Sequence, residues 1–186
     1  MSAKPRIERA ALAVFVSEGV DAATTKAIAA RAGVSEGAIY RHWKSKDELA
    51  LGLFMATHRR LSDLITAKAE VSRGVHAKAA ALVSAYCTVA DEDWLLFSFH
   101  LLHLHHFLPY YQEDGRDPVT LVEDVIKRAM LGTELPPGDP RVIAAMAIGV
   151  ITQTAQNKAY GRLGDDALSA HAPLMTAAVQ AVLVAR

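Results

Sequence analysis

The sequence has little cysteine, no excess of charge of either sign and no long hydrophobic run. It holds one Cys, Cys87, in 186 residues. A single thiol excludes a disulfide framework and a cysteine-based structural zinc site. The longest charge-free stretches are Val142–Asn157 and Ala172–Ala185. Both are shorter than the ~20 residues of a membrane span, and the first contains Thr, Gln and Asn. No basic region followed by an apolar stretch is visible near the start, so no signal peptide is expected and the expected location is cytoplasmic. Lys and Arg number 20, and so do Asp and Glu. The resulting net charge of zero argues at first sight against a nucleic-acid partner.

What is present changes that view. Hydrophobic residues make up 52% of the chain, which excludes wholesale disorder and leaves enough apolar side chain for a real core. The charge is unevenly placed. Residues 1–47 carry eight basic and five acidic groups, a net +3, and the remainder carries −3. Ala and Leu dominate, and β-branched residues do not alternate with polar ones over any long stretch, so the chain reads as all-α with about nine helices.

Helix ends are marked by side chains. Ile7, Ala11, Val14 and Phe15 form one apolar stripe of a first helix over Pro5–Glu18, stopped by Gly19. Thr24 or Thr25 caps a second helix that ends at Gly33. Ser35 caps a short third helix that ends near Trp43. Ser45-Lys46-Asp47-Glu48 fits a capping box and starts a fourth helix reaching about Val71, long enough to link two domains. Further helices are expected over Val75–Ala90, over Asp91–Leu108, from Asp117-Pro118 to Leu131 and from Asp139-Pro140 to Tyr160. The last helix starts either near Asp165, with a bend at Pro173, or at Pro173.

The segment Thr24–Tyr40 reads as a helix-turn-helix. Ala29 and Ala32 are small enough for close helix crossing. Gly33 tolerates a positive φ in the turn. Ile28, Val34 and Ile39 are available to bury against the first helix. Arg41 and Lys26 are able to donate to guanine, and Glu36 to accept from cytosine N4. Thr25, Ser35, Tyr40, His42 and Lys46 have the chemistry to hold phosphates, and the small Gly37 and Ala38 permit close approach to base edges. The same spacing also fits ordinary packing of two Ala-rich helices.

Thr24–Ala50, continuing through Tyr40-Arg41-His42-Trp43-Lys44-Ser45-Lys46-Asp47-Glu48-Leu49, resembles the DNA-binding domain of the tetracycline-repressor (TetR) family. The likeness extends back through Arg6-Ile7 to Phe15 and Gly19. It implies an N-terminal three-helix DNA head over residues 1–47. It also implies a helical domain over 48–186 that binds a small-molecule effector and dimerises. By position, the resemblance puts Lys26, Glu36, Gly37, Ala38 and Arg41 at the bases and Thr25, Tyr40, His42 and Lys46 on the DNA backbone. Only Lys4 and Arg6 precede or open the first helix, so a long basic arm is absent.

Four of the eight His fall between His100 and His106. At 100° per residue His100, His103 and His106 share one face, while His105 points away. Three readings stand: buried imidazoles in a core, a pocket for a mostly apolar effector, and a metal site. No companion motif such as His-Glu-x-x-His supports the last. Tyr86, Trp94, Phe97, His100, His103 and Tyr110 are the candidate effector-lining residues. The charge-free last two helices need cover on more than one side, which a second subunit supplies. The resemblance likewise implies a homodimer through those helices. Cys87 reads as a small buried hydrophobe.

The expectation is therefore a ligand-responsive repressor of a pseudo-palindromic operator, with double-stranded DNA and an effector as partners, and with no membrane contact, cofactor or resident metal. An enzyme is not expected, because the chain has no Gly-rich phosphate loop, dicarboxylate metal motif or nucleophile elbow. The alternative is a helical-bundle enzyme or a metal-binding protein that uses the His100–His106 cluster.

Overall fold

Capping side chains set the starts of four helices in the computed structural model, which describes residues 3–108 and 117–185. Among the described residues the helices are α1 Ala3–Glu18, α2 Thr25–Ala32, α3 Glu36–Tyr40, α4 Lys46–Val71, α5 Val75–Glu92, α6 Trp94–Leu102, α7 Leu104–Phe107, α8 Pro118–Leu131, α9 Pro140–Ala159 and α10 Ala172–Val184. A 3-10 turn over Leu168–His171 precedes α10, and no strand is present among these residues. The fold is all-α, as expected, with ten helices rather than nine.

Thr24 caps α2 by accepting from Ala27 N–H at 3.1 Å. Ser45 accepts from Glu48 N–H at 3.0 Å and Glu48 reaches back to Lys44 N–H, which completes the capping box at the start of α4. Asp117 accepts from Thr120 N–H at 3.0 Å, and Asp139 from Arg141 N–H at 2.9 Å, with Pro118 and Pro140 in the first turns. The bond from Arg141 N–H holds the Asp139 carboxyl below its usual range.

Two boundaries differ from the sequence reading. Asp91-Glu92-Asp93 does not open the sixth helix. Asp91 and Glu92 finish α5, and the Asp91 carboxylate accepts from Leu168 N–H at 2.7 Å and Ser169 N–H at 3.1 Å. The acid serves the 3-10 turn, far away in sequence. The expected single helix Asp91–Leu108 is also broken. At His103 the backbone leaves helical geometry (φ −110°, ψ 13°), and the ring Nδ1 lies 2.9 Å from the carbonyl of Phe99. That carbonyl also still accepts from His103 N–H at 3.2 Å, so it is shared between the ring and the backbone. The last helix starts after the 3-10 turn, with Pro173 in its first turn.

The chain divides into two compact units, counted over their described residues. One takes in Met1–Thr57 and Leu95–Tyr110, the other His58–Trp94 and Tyr111–Arg186. In the first unit α6 and α7 share the core of α1 to α4. In that core Ile7, Phe15, Ile28, Ile39, Leu49, Phe54 and Phe99 are all fully buried. Phe15 stacks on Phe99 at 5.8 Å, and Phe54 meets Phe107 at 5.1 Å.

In the second unit, α5, α8, α9 and α10 pack with the distal part of α4. Glu134 accepts from Val75 N–H at 2.8 Å and ties the start of α5 to the end of α8. Gln180 of α10 donates to the carbonyl of His76 at 3.1 Å. Cys87 is buried, and burial pushes its thiol up to about 11, so it stays protonated and unreactive at neutral pH. No described helix is long and apolar enough to cross a membrane.

Truncating Phe99 removes the ring that joins α6 to Phe15. Phe99→Ala is expected to lower unfolding free energy by about 3–5 kcal/mol. Urea titration followed by circular dichroism measures this as a lower midpoint.

Candidate nucleic-acid interface

A five-residue helix has too few internal hydrogen bonds to hold itself in place. The position of α3 therefore depends on what surrounds it. Gly33 ends α2 in the left-handed region (φ 64°, ψ 43°), and Val34 N–H donates to the carbonyl of Ala29 at 3.1 Å. Arg6 of α1 then donates to the carbonyls of Ala32 and Gly33. Helix C-termini leave such carbonyls without helical partners. A Cβ added to Gly33 would lie 3.0 Å from the Arg6 guanidinium, which would have to give by a few tenths of an ångström, and the positive φ strains any side chain there.

From below, Ala38 and Ile39 anchor α3 in the core. The opposite surface is polar. The hydroxyl of Thr25 donates to the Glu36 carboxylate and lies 3.4 Å from the Tyr40 hydroxyl. One residue from α2 thus meets two from α3. Glu36, Gly37, Arg41 and His42 are exposed, as is Lys26 on α2, and Tyr40 is 53% exposed. An added Cβ at Gly37 would meet nothing within 4 Å, so that spot is open to a close approach. Ser35 is exposed and makes no side-chain cap, which leaves its hydroxyl outward. Lys46 donates from Nζ to the carbonyl of Asp21 at 3.0 Å, at the loop that leads into α2.

Of the ten expected DNA-facing residues, Ala38 is placed differently. It is 3% exposed and packs inward beside Ile39. On so short a helix, inward Ala38 and Ile39 fix which face is left for Glu36, Gly37 and Tyr40. Arg6 is the residue that the motif reading assigned no role in the turn. The signal available was the pair of orphan carbonyls at the end of α2, which needs a donor from elsewhere.

The expected effector-lining residues divide between the two units. Phe97, His100 and His103 belong to the head-containing unit. His100 is 4% exposed and stacks on Phe54 at 4.6 Å, and the His103 ring lies 4.5 Å from that of Phe99. Tyr86 and Trp94 belong to the other unit, where Trp94 lies under Nζ of Lys158 at 5.1 Å. Burial pushes the Tyr86 phenol well above its ordinary value. Tyr110 lies outside the described residues. Among the described residues no group of three or more His, Cys, Asp or Glu is placed to hold a metal ion.

The comparisons with known proteins fall on this same region. Residues 7–53 match the sequence profile of "Bacterial regulatory proteins, tetR family". The chain is 35% identical over 82 residues to the HTH-type transcriptional regulator SrpR and to the uncharacterized HTH-type transcriptional regulator TtgW, both of Pseudomonas putida. That stretch is 44% of this chain, and it spans 38% of SrpR and 61% of TtgW, less than two thirds of either relative. The fold is shared along the whole length with the transcriptional regulator FadR of Bacillus subtilis, solved in complex with stearoyl-CoA. There the TM-score is 0.74 at 18% identity, covering 97% of each chain. The turn, the capped helices and the matched profile converge on the same segment, and residues 7–53 are similar to the tetR family of bacterial regulatory proteins.

Proposed function

We propose that this chain is a ligand-responsive transcriptional repressor that binds a pseudo-palindromic operator as a homodimer and is released by a small-molecule effector. The observation that carries the reading is the exposed face on which Thr25, Glu36 and Tyr40 meet, beside the open Gly37 and the exposed Lys26, Arg41 and His42. A short helix anchored by Ala38 and Ile39, with a polar outer face, fits the major groove. Arg41 and Lys26 supply donors for guanine, and Glu36 supplies an acceptor for cytosine. Thr25, Ser35, Tyr40, His42 and Lys46 hold the backbone. The reading places the protein in the cytoplasm, with DNA, and gives it no catalytic step.

Dimerisation rests on the outer faces of the last two helices. On α9, Val142 is 55% and Met146 49% exposed, and on α10 Leu174 is 75% and Val184 48% exposed. Val142, Met146 and Gly149 follow helical spacing, as do Leu174, Ala177, Ala181 and Val184. Two such pairs from two copies make a four-helix bundle and cover these side chains. The stearoyl-CoA bound by the FadR relative supports an acylated effector for this chain as well.

Gel-shift titration against the gene's own upstream DNA tests the reading. Salt-sensitive, saturable binding is expected, and its absence at low salt removes the proposal. Arg41→Ala is expected to lose about 1–3 kcal/mol and to relax preference at one base position. Lys46→Ala should weaken all sequences about equally and flatten the salt slope. Equal behaviour of the two variants contradicts a division into readers and clamps. Thr25→Val removes the hydroxyl that holds Glu36 and is expected to reduce operator affinity by about 0.5–1.5 kcal/mol. Its melting temperature should stay near that of the parent, because the bond lies at the surface.

A further inference from the structure

On α1, Arg6, Arg9, Ala10 and Ala13 follow one another at i, i+3, i+4 and i+7 and share one side of the helix. With Arg31 and Ala32 at the end of α2 and Leu95 of α6, they line an open cleft of about 460 Å³. The cleft lies wholly within the unit that contains the helix-turn-helix. It exists because its inner lining is small: Ala10 and Ala32 are buried, and Ala13 is half-buried. The three arginines are exposed. Among the described residues no acidic side chain lines the cleft. Its volume falls in the range of about 300–1,000 Å³ typical of small-molecule sites.

This surface is separate from the one proposed to meet DNA. Arg31 follows Lys26 by five residues, which turns it about 140° around α2. None of the residues assigned to the operator lines the cleft. Three of the eight basic groups of residues 1–47 are therefore gathered elsewhere on the head. Like charges held on one small surface repel, and a compact anion among them removes that repulsion. A guanidinium fork matches phosphate oxygens two at a time, and a lone carboxylate is already satisfied by one such fork. Three arginines around an apolar floor match a ligand that carries more than one phosphate together with an apolar or flat body. Arg6 has donors to spare for it. Its bonds to the carbonyls of Ala32 and Gly33 both leave from Nη2, and a guanidinium has further N–H groups on its other nitrogens.

We infer that this cleft is a second ligand site, borne by the head itself, for a compact organic polyphosphate of the nucleoside diphosphate class. The phosphates lie on Arg6, Arg9 and Arg31, and the base lies against Ala10, Ala13 and Leu95. Arg6 belongs to the cleft and to the turn that precedes α3. A ligand that draws its guanidinium toward the cleft loosens its hold on the two carbonyls, and so on the placement of α3. Nucleotide binding then weakens operator binding. That last effect rests on the repressor reading, and the existence of the site does not.

Calorimetric titration of the full chain with ADP, inorganic pyrophosphate and adenosine at low salt tests the site. Saturable ADP binding is expected, roughly tenfold or more tighter than adenosine, with pyrophosphate between the two. Absence of saturable heat with ADP overturns the inference, and pyrophosphate binding as tight as ADP overturns the nucleoside assignment. Arg31→Gln is expected to weaken ADP roughly fivefold or more, and Arg31→Lys, which keeps the charge and loses the fork, by less. Arg41→Gln, on the exposed face of α3, should leave ADP affinity unchanged. Equal losses in Arg31→Gln and Arg41→Gln overturn the site, because ADP then follows the general charge of the head. Ala13→Leu fills the cleft without altering charge and is expected to weaken ADP roughly tenfold. Unchanged affinity in that variant, shown to be folded by a thermal melt, also overturns the site. The exposed Arg31 variants carry the test if Ala13→Leu does not fold. Gel shifts on the same proteins keep the claims apart. Operator binding that ADP does not weaken removes the effect on the turn, and ADP binding without any DNA binding removes the repressor reading and leaves the site. Weakened operator binding by Arg31→Gln, with no ADP heat in the parent, gives the cleft to DNA phosphates and overturns the inference.

Discussion

The bonds from Arg6 to the carbonyls of Ala32 and Gly33 fix the geometry on which the exposed face of α3 depends. They link α1, the helix with the most extensive burial in the head, to the turn that aims α3. A guanidinium suits this position because its fixed fork of N–H groups is able to serve two acceptors at once. The left-handed Gly33 brings those carbonyls to the surface, where Arg6 reaches them. Once the turn is set, α3 has no freedom left: Ala38 and Ile39 are held in the core. The outward side chains of α3 then meet α2 through Thr25, so Glu36 and Tyr40 are held in place by the protein itself. Preorganisation of this kind reduces the conformational entropy lost on binding.

A second constraint is the chemistry of α6 and α7. Imidazoles are flat and partly apolar, and they stack on phenyl rings at the same distances that phenyl rings use among themselves. His100 takes such a place against Phe54, and His103 against Phe99. The His-rich run therefore acts in the core of α1 to α4 as an aromatic surface, and the helix breaks at His103, whose ring also meets the Phe99 carbonyl.

Interactions between residues close in sequence were the legible ones. The caps of Thr24, Ser45, Asp117 and Asp139 involve partners two or three residues away, and the residue types alone identify them. The helix-turn-helix was legible for the same reason, since Gly33 and the Ala spacing belong to one short stretch. What escaped was long-range. Asp91 reads locally as a helix start, yet its partners are Leu168 and Ser169. Ala38 reads as small and accessible, and only the packing of Ile39 beside it shows which way the short helix faces. The grouping of Leu95–Phe107 with the head depends on Phe15 and Phe54, which no local pattern connects to it.

The charge-free stretches over α9 and α10 are explained by their position between two apolar environments. A helix at an ordinary protein surface needs one apolar stripe and keeps charge on the other side. Here Ala147, Ile151 and Val179 face a small aliphatic cavity beside α5 and α8, while Val142, Met146 and Leu174 face outward. Placing a charge on either side of α9 between Val142 and Asn157 would put it in the cavity wall or in the outer apolar face. The same absence of charge also makes the pair easy to adjust. Apolar contacts are non-directional, so inner and outer faces are able to slide by small amounts without breaking hydrogen bonds or ion pairs. Fixed charges are concentrated instead in the head, where the net +3 of residues 1–47 offsets the −3 of the remainder. The proposed dimer would present that modest positive charge twice. With so little general attraction to phosphate, the proposed discrimination between DNA sequences rests on the geometry of α3, and hence on the turn that Arg6 holds.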